Sequence, residues 1–409
     1  MRGQRETHAV AVLDVGSSKI VAAVAQPEES GLRVLGVGRA PAAGIRRGAV
    51  VDIPQAAAAM AAAVARARRA ARLTVSGLTL GSAGGEVWSC TRQAEIRLDG
   101  PQEVEEVHVA RLMREVRDAE LPGNYQVVHS IPLDYQVDGY EGCSQPLGIT
   151  AEHVAVSAHL VACQETVLSN LWKAAGAAGV PVEEFALSGL AAAEAVLSDA
   201  ERQVGVVVAD LGAEATQVTV FVAGEPVGSA VIPLGGAHVS RDVGAALGIG
   251  PEAAEAMKVR HGTADASTAA DTPLEWPQGS GPRPDAAMEP TERGLCQVVR
   301  ARQEEILERI GEALEAAGVA GRTPGGIVFT GGGSRLRGLS PLSLHVLGMR
   351  VRCGGAMGAA GTLGEPEFAA AVGLLQVAAR RETGERRLPP LAETHRVAVA
   401  RWWRRAVGG

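Results

Sequence analysis

Two stretches of this chain share one design. AVLDVGSSKIVAAV (residues 11–24) and VVVADLGAEATQVTVF (residues 206–221) each carry a valine-rich strand into Asp-x-Gly, reverse direction, and leave as a second strand. β-Branched residues on both sides favour extended backbone, and glycine at the corner admits a tight reversal. A strand–turn–strand unit that recurs so far along the chain predicts a duplicated, two-lobed α/β architecture with a cleft between the lobes. The length of 409 residues agrees, since it is too great for one ordinary core.

The turn carries chemistry as well as shape. Successive N–H groups at a glycine turn suit a phosphate, and the aspartate before it suits Mg²⁺ or its water shell. In DVGSSK these residues are Asp14, Gly16, Ser17, Ser18 and Lys19; in the second hairpin they are Asp210 and Gly212. A third glycine site, FTGGGSRLRGL, opens from an apolar strand into Gly331, Gly332, Gly333 and Ser334. It is expected to run into a helix N-terminus, a common seat for a nucleotide. No GxxxxGK[ST] loop occurs, and the glycine run lacks the last glycine of a dinucleotide fingerprint. A nucleotide would therefore sit in a clamp of two hairpins; taken alone, each turn also reads as an ordinary structural one.

The rest of the chain fills in around these sites. Strands are expected at His8–Leu13, Ile20–Ala25 and Leu32–Val37, followed by an alanine-rich helix at Ile53–Leu73. Its Arg66, Arg68, Arg69 and Arg72 read as a solvated face. Mixed strands fill Ser82–His159 with one helix at Glu103–Val116, and further helices are expected at Gln164–Ala178, Ser188–Ser198 and Gly294–Ala317. A hairpin bends at AGEPV, Thr263–Glu292 has loop composition, and Arg380–Pro390 reads as a charged, proline-ended linker. A net charge of −7 gives no global attraction for nucleic acid. Five scattered cysteines without a CxxC pair argue against a disulfide framework or a zinc site and suit a reducing cytosol. No run of 18 apolar residues occurs, and the apolar run before Asp14 is too short for a secretory segment.

RWWRR, residues 401–405, stands four residues before the end of the sequence, although aromatic residues make up only 3% of the chain. Wound as a helix, residues 393–407 gather His395, Val399, Trp402, Trp403 and Ala406 on one side and Arg401, Arg404 and Arg405 on the other. That is the pattern of a helix lying in a membrane interface, with indoles at headgroup depth and arginines on anionic lipid. Each arginine contributes about 1 kcal/mol there, so one tail binds reversibly and several tails on one polymer bind with avidity. The alternative is a helix docked on the body or on a partner.

The order DVGSSK, DLGAEATQ, EAMKVRHG, FTGGGSRL and AAAVGLL resembles the actin–Hsp70–sugar-kinase superfamily. Within it, LGVGRAPAAGIRRGAVVDI, AMKVRHG and FTGGGSRLRGL resemble the FtsA family of bacterial actin-like division proteins, over nearly the whole chain. The resemblance implies a two-lobed ATPase fold with a family-specific extra subdomain, bound ATP and Mg²⁺, and Asp14 and Asp210 at the metal. It places adenosine at Gly331–Ser334, and ribose and adenine near Glu255 and Lys258, which could also be a plain surface pair. Residues 7–82, 163–198 and 362–380 would form subdomain 1A, and residues 83–162 the extra subdomain 1C. Residues 199–235 with 324–361 would form 2A and residues 236–323 would form 2B, with 381–391 a linker to a membrane-targeting helix at 392–409. Implied partners are the C-terminal peptide of FtsZ near Arg302, which could equally be a plain exposed helix arginine, the anionic membrane, copies of the chain itself and other division proteins, at the cytoplasmic face of the septal membrane. A pilus-assembly adaptor and a sugar or acetate kinase of the superfamily are the competing readings. The terminal helix and the RGAVVDI and KVRHG stretches favour FtsA over the adaptor, and a kinase has no use for RWWRR.

The second hairpin departs from the family pattern. Ala213 and Ala215 stand where glycine and threonine are usual, and Glu214 stands where a glycine would face the terminal phosphate. A carboxylate about 5 Å from a phosphate charge costs about 3 kcal/mol at an effective dielectric near 20. Either Glu214 turns away, or it helps to bind metal, or ATP binds weakly; retained binding with negligible hydrolysis is the expectation. Gln164 is the candidate to orient an attacking water, its alternative being a polar residue at a helix start.

Overall fold

The computed structural model describes residues 9–28, 31–73, 77–118, 120–278, 280, 289–359 and 361–383. The expected membrane helix at 392–409, with Val399, Arg401, Trp402, Trp403, Arg404, Arg405 and Ala406, lies outside the described residues, as do residues 384–391 and 281–288.

The first lobe opens with β1 (Val10–Val15), β2 (Lys19–Glu28) and β3 (Gly31–Pro41), then a two-stranded ribbon of β4 (Ile45–Arg46) and β5 (Ala49–Val50). Helix α1 (Ile53–Ala71) and β6 (Leu78–Ser82) follow. Asp52 starts α1 by accepting the Gln55 N–H at 2.9 Å, and Arg72, left-handed at φ 55°, ends it. Its alanine-rich face, with Met60 and Val64, packs into the core of this lobe. An inserted unit comes next: β7 (Val87–Glu103), α2 (Glu106–Arg117), β8 (Tyr125–Val137), β9 (Tyr140–Cys143) and β10 (Thr150–Gln164). It has its own core around Ile96, Leu112, Val154 and Leu160. Helix α2 begins later than the sequence suggests because Glu103 is still paired to Thr150 in the sheet. The chain returns through α3 (Glu165–Ala177), β11 (Val182–Leu187) and α4 (Ser188–Val196).

The second lobe comprises α5 (Asp199–Val204), β12 (Val206–Leu211), β13 (Thr216–Val222), β14 (Glu225–Ile232), α6 (Gly236–Leu247), α7 (Pro251–His261) and α8 (Glu292–Ala316). After these come β15 (Ile327–Thr330), α9 (Leu339–Leu347), β16 (Val351–Cys353) and α10 (Ala369–Thr383), which lies back on the first lobe.

The two main sheets have one topology. In the first the order is β11-β6-β1-β2-β3, in the second β14-β13-β12-β15-β16. Each is an antiparallel meander of three strands whose innermost member pairs in parallel with a fourth strand, which pairs in parallel with a fifth. The duplication read from the two hairpins is thus a duplication of whole sheets. Between them lies α4, buried along its full length, with its alanines against both lobes. Its one acid, Glu194, accepts from Arg202 at 3.0 Å and from Arg380 of α10.

Two helix ends depart from expectation. The glycine run after β15 does not enter a helix directly; Gly332–Arg335 makes a single 3₁₀ turn, closed by Ser334 Oγ on the Gly331 carbonyl at 2.7 Å, and α9 starts only at Leu339. Helix α10 continues through the expected start of the linker to Thr383, because Arg380 and Arg381 find Glu194, Glu183 and Glu184 as ion partners.

The inserted sheet, ordered β7-β10-β8-β9, also meets the second lobe. Ser89 Oγ on β7 donates to the Ser229 carbonyl of β14 at 2.6 Å and accepts its N–H at 3.3 Å, while His159 Nε2 lies 3.1 Å from Ser229 Oγ. Beyond these Ser89 bonds, β7 is an edge strand of its sheet, with no strand paired along its outer side among the described residues.

Candidate functional site

The two hairpins superpose residue for residue in their hydrogen bonding. Asp14 pairs with Val21 and Gly81; Asp210, in the matching place on β12, pairs with Gln217 and Thr330. Gly16 N–H closes on the Lys19 carbonyl at 3.1 Å, and Gly212 N–H on the Ala215 carbonyl at 3.0 Å. A Cβ on either glycine would stand 2.8 or 2.7 Å from that carbonyl oxygen, so neither corner has room for a side chain. Ser17 and Ser18 therefore correspond to Ala213 and Glu214. Among the described residues no hydrogen bond takes up the N–H of these four.

The aspartates reach the same floor of the cleft. Ser188, the first residue of α4, donates its hydroxyl to Asp14 Oδ1 at 2.7 Å. The next N–H, of Gly189, donates to Gln217 Oε1 at 2.9 Å, and the other end of that amide reaches Asp210 Oδ2 at 3.5 Å. Burial raises the Asp14 carboxyl above its ordinary range, against the opposing pull of Ser188 and Lys19. Asp210 is pushed up to about 7 by burial, with the Asp14 charge adding to the effect and Lys19 resisting it. Two partly buried carboxylates that repel each other form an incomplete arrangement, which a divalent cation between them would complete. Among the described residues no group of three or more His, Cys, Asp or Glu side chains converges as a metal cage. A cation here would draw its other ligands from water or phosphate oxygens.

Lys19 lies beside these acids, but its ammonium is 2.7 Å from Glu367 Oε2 and 4.6 Å above the Phe368 ring. Burial lowers the Lys19 pKa against the pull of Glu367; burial would raise Glu367, and Lys19 overrides it. Pro366, just before this pair, accepts from the Gly331 N–H at 3.1 Å and the Thr330 hydroxyl at 3.3 Å. Gly331 is left-handed at φ 78°, and a Cβ there would stand 2.2 Å from Asp210 Oδ1. The glycine loop, from Gly331 through Gly333 to Ser334, thus closes directly over the second aspartate.

Glu255 and Lys258 pair at 2.7 Å, with Ser240 donating to the same carboxylate and Lys258 Nζ also donating to the Gly236 carbonyl at 3.1 Å. Gly236 N–H in turn holds the Gly212 carbonyl at 2.9 Å, which puts the pair one residue behind the second turn. Glu214 does not point into open solvent: its carboxylate accepts from Arg46 Nη1 and the Arg47 N–H, each at 2.9 Å. Gln164 stands at the end of β10 with its amide donating to Glu86 Oε2 at 2.9 Å, and no hydrogen bond among the described residues joins it to Asp14, Lys19 or Asp210. Arg302 on α8 grips both oxygens of Asp242 at 2.6 and 3.1 Å and also bonds Glu305.

Sequence reasoning missed Ser188, Gln217, Glu367, Phe368 and the Arg46–Arg47 pair. Two of these left a trace in the stretches that carried the resemblance, Gln217 at the end of DLGAEATQ and the arginine pair in GIRRG.

Comparison with known proteins follows this geometry. The family described as "Cell division protein FtsA" matches residues 207–373, and that described as "SHS2 domain inserted in FTSA" matches residues 84–162. The chain is 30% identical over 375 residues to the cell division protein FtsA of Escherichia coli K12, covering 89% of this chain and 88% of that protein. It is 29% identical over 375 residues to FtsA of Pseudomonas aeruginosa, covering 91% and 89%. FtsA of Agrobacterium fabrum is 30% identical over 387 residues, covering 91% and 87%. Among solved structures, a PilM–PilN type IV pilus biogenesis complex aligns with a TM-score of 0.64 at 16% identity, over 90% of this chain and 98% of that one. MreB5 of Spiroplasma citri bound to ADP aligns with a TM-score of 0.55 at 13% identity, over 93% and 99%. These likenesses, with the doubled sheet, make the fold actin-like.

Proposed function

The chain belongs to the FtsA family of cell division proteins, and on that premise we propose that it is an ATP-binding, membrane-associated protein that polymerises and tethers FtsZ filaments to the inner face of the cytoplasmic membrane at the septum. The observation that carries this reading is sequence identity that runs through both lobes and the insert together. The residues suit the ligand: two closed glycine corners with unspent N–H groups face one floor with two carboxylates whose charge burial disfavours. Asp14 and Asp210 hold Mg²⁺ or its water; the turns at Gly16–Ser18 and Gly212 take the phosphates; Gly331–Ser334 backs the adenosine, and Glu255 and Lys258 stand on the ribose side. ATP with its metal supplies the charge that draws the lobes together. Gln164 must give up Glu86 before it can hold a water, so turnover is very slow.

No helix among the described residues is long and apolar enough to cross a membrane. Attachment falls to residues 392–409, whose single-copy affinity, of the order of micromolar to submillimolar, is multiplied by polymerisation. The FtsZ peptide, being acidic, docks on the second lobe near Arg302. The test is co-sedimentation of the full chain with anionic vesicles, with and without FtsZ. Deleting residues 392–409, or Trp402→Glu with Trp403→Glu, should release the protein and leave FtsZ in the supernatant; unchanged pelleting would refute the tether.

A further inference from the structure

The tip of the second hairpin holds an anion site that the chain fills with its own side chain. Two donors and a further cation converge on the buried Glu214 carboxylate: Arg46 Nη1 and the Arg47 N–H at 2.9 Å each, from the first lobe, and the Arg241 guanidinium, 4.0 Å away on α6 of the second. The donor turn is specialised. Arg47 and Gly48 link β4 to β5 with positive φ at both residues, 49° and 76°, the conformation of a tight hairpin turn. It aims two successive N–H groups in a useful way. That of Arg47 goes to Glu214 of the second hairpin, and that of Gly48 to Ser17 Oγ of the first, at 3.1 Å. One two-residue turn therefore touches both hairpin tips, and the Glu214 carboxylate bridges the two lobes.

Building on the nucleotide reading above, we propose that Glu214 stands in for the outermost phosphate of the nucleotide. It clasps the lobes when no nucleotide is present and makes the cleft prefer a nucleoside diphosphate to a triphosphate. The carboxylate holds the cationic and backbone donors that a terminal phosphate between the two hairpins would need. A triphosphate must displace it and then share the cleft mouth with its charge, whereas a diphosphate ends short of it. The small residue expected at this position would leave those donors to the ligand.

The experiment uses the full chain, its Glu214→Gly variant and, as a shape-preserving control for folding, Glu214→Gln. Titration with fluorescent ADP and ATP analogues in Mg²⁺ gives the ratio of their Kd values. Hydrogen exchange over residues 45–50 without nucleotide reports the clasp. Wild type should bind ADP at least as tightly as ATP. Glu214→Gly should tighten ATP by about tenfold or more, the order expected for removing one like charge beside a phosphate, and leave ADP nearly unchanged. Glu214→Gln should fall between. Exchange at Arg47 should rise in Glu214→Gly. An ATP-to-ADP ratio that is the same in all three proteins, or exchange that does not change, overturns the assignment of Glu214 alone. Failure of every protein to bind either nucleotide overturns the nucleotide reading and this inference with it.

Discussion

Asp210→Asn should make the nucleotide-free protein more stable while weakening its hold on Mg²⁺-nucleotide. The wild-type carboxyl titrates at about 7 in the folded chain, because burial and the Asp14 charge disfavour its ionised form; its ordinary value is 3.8. Carrying it ionised above neutrality therefore costs about 4 kcal/mol relative to the unfolded chain. Asparagine removes that charge, keeps an oxygen for Gln217 and nearly keeps the shape under Gly331. Allowing for imperfect amide packing, the gain should be about 2–4 kcal/mol. The sign against pH follows from the raised folded value. Between pH 4 and 7 the unfolded chain gives up a proton that the folded chain retains, so wild type loses stability as pH rises and the variant does not. Urea unfolding in EDTA, without nucleotide, should show the two proteins nearly equal at pH 4 and the variant ahead by a constant amount above pH 7. A variant no more stable at pH 8, or an advantage independent of pH, would refute the reasoning. Stronger nucleotide binding by the variant would contradict the placing of Asp210 at the metal.

Other perturbations test separate parts of the molecule. Glu194→Ala leaves Arg202 charged and buried beside α4 and should cost about 3–5 kcal/mol in urea unfolding, partly recovered by Arg202→Met in the same chain. His129 and His159 are held neutral by burial, down to about 3 and about 4, with His159 also lowering His129. Because the unfolded chain takes up protons there that the folded one refuses, stability should fall on acidification from about pH 6.5 by about 1 kcal/mol per pH unit for each. The difference from a doubly Leu-substituted chain isolates this slope. Asp242→Asn removes one of the two carboxylate charges that hold the Arg302 guanidinium, Glu305 keeping the other, and should strengthen binding of an acidic FtsZ C-terminal peptide several-fold, whereas Arg302→Ala should weaken it; fluorescence anisotropy of a labelled peptide decides.

The parts of this molecule that were legible in its sequence are those with a local physical cause. Valine-rich runs made β1, β2, β12 and β13 visible, and the glycines at 16 and 212 marked the corners because a side chain there would collide with the carbonyl that closes the turn. The alanine-rich run from Ile53 announced α1. The start of α9 was hidden, because a glycine run followed by polar residues is as compatible with a 3₁₀ turn as with a helix. The site's polar partners were hidden for a different reason. Lys19 meets Glu367 from 348 positions away, Asp14 meets Ser188 from 174, and Glu214 meets Arg46 from 168. Nothing at either end of such a pair signals the other; only folding brings them together. The sequence reading did identify Glu214 as out of place in a phosphate turn, and the two arginines that accommodate it were already in the stretch that carried the family resemblance.

The free margin of β7 has a bearing on how the protein survives being crowded. Paired on one side at Val87–Arg97 and Gln102–Glu103, it offers, beyond the Ser89 contact with β14, a row of backbone donors and acceptors of the sort that nucleates ribbons between neighbouring chains. Arg92, Glu95, Arg97, Asp99 and Glu103 fall along that row. A stray copy sliding in at an arbitrary offset would set like charges against each other and strip several of water at once. The strand can therefore stay bare in a dense layer of molecules without becoming a seed for precipitation, and bleaching those five charges to threonine would remove that protection.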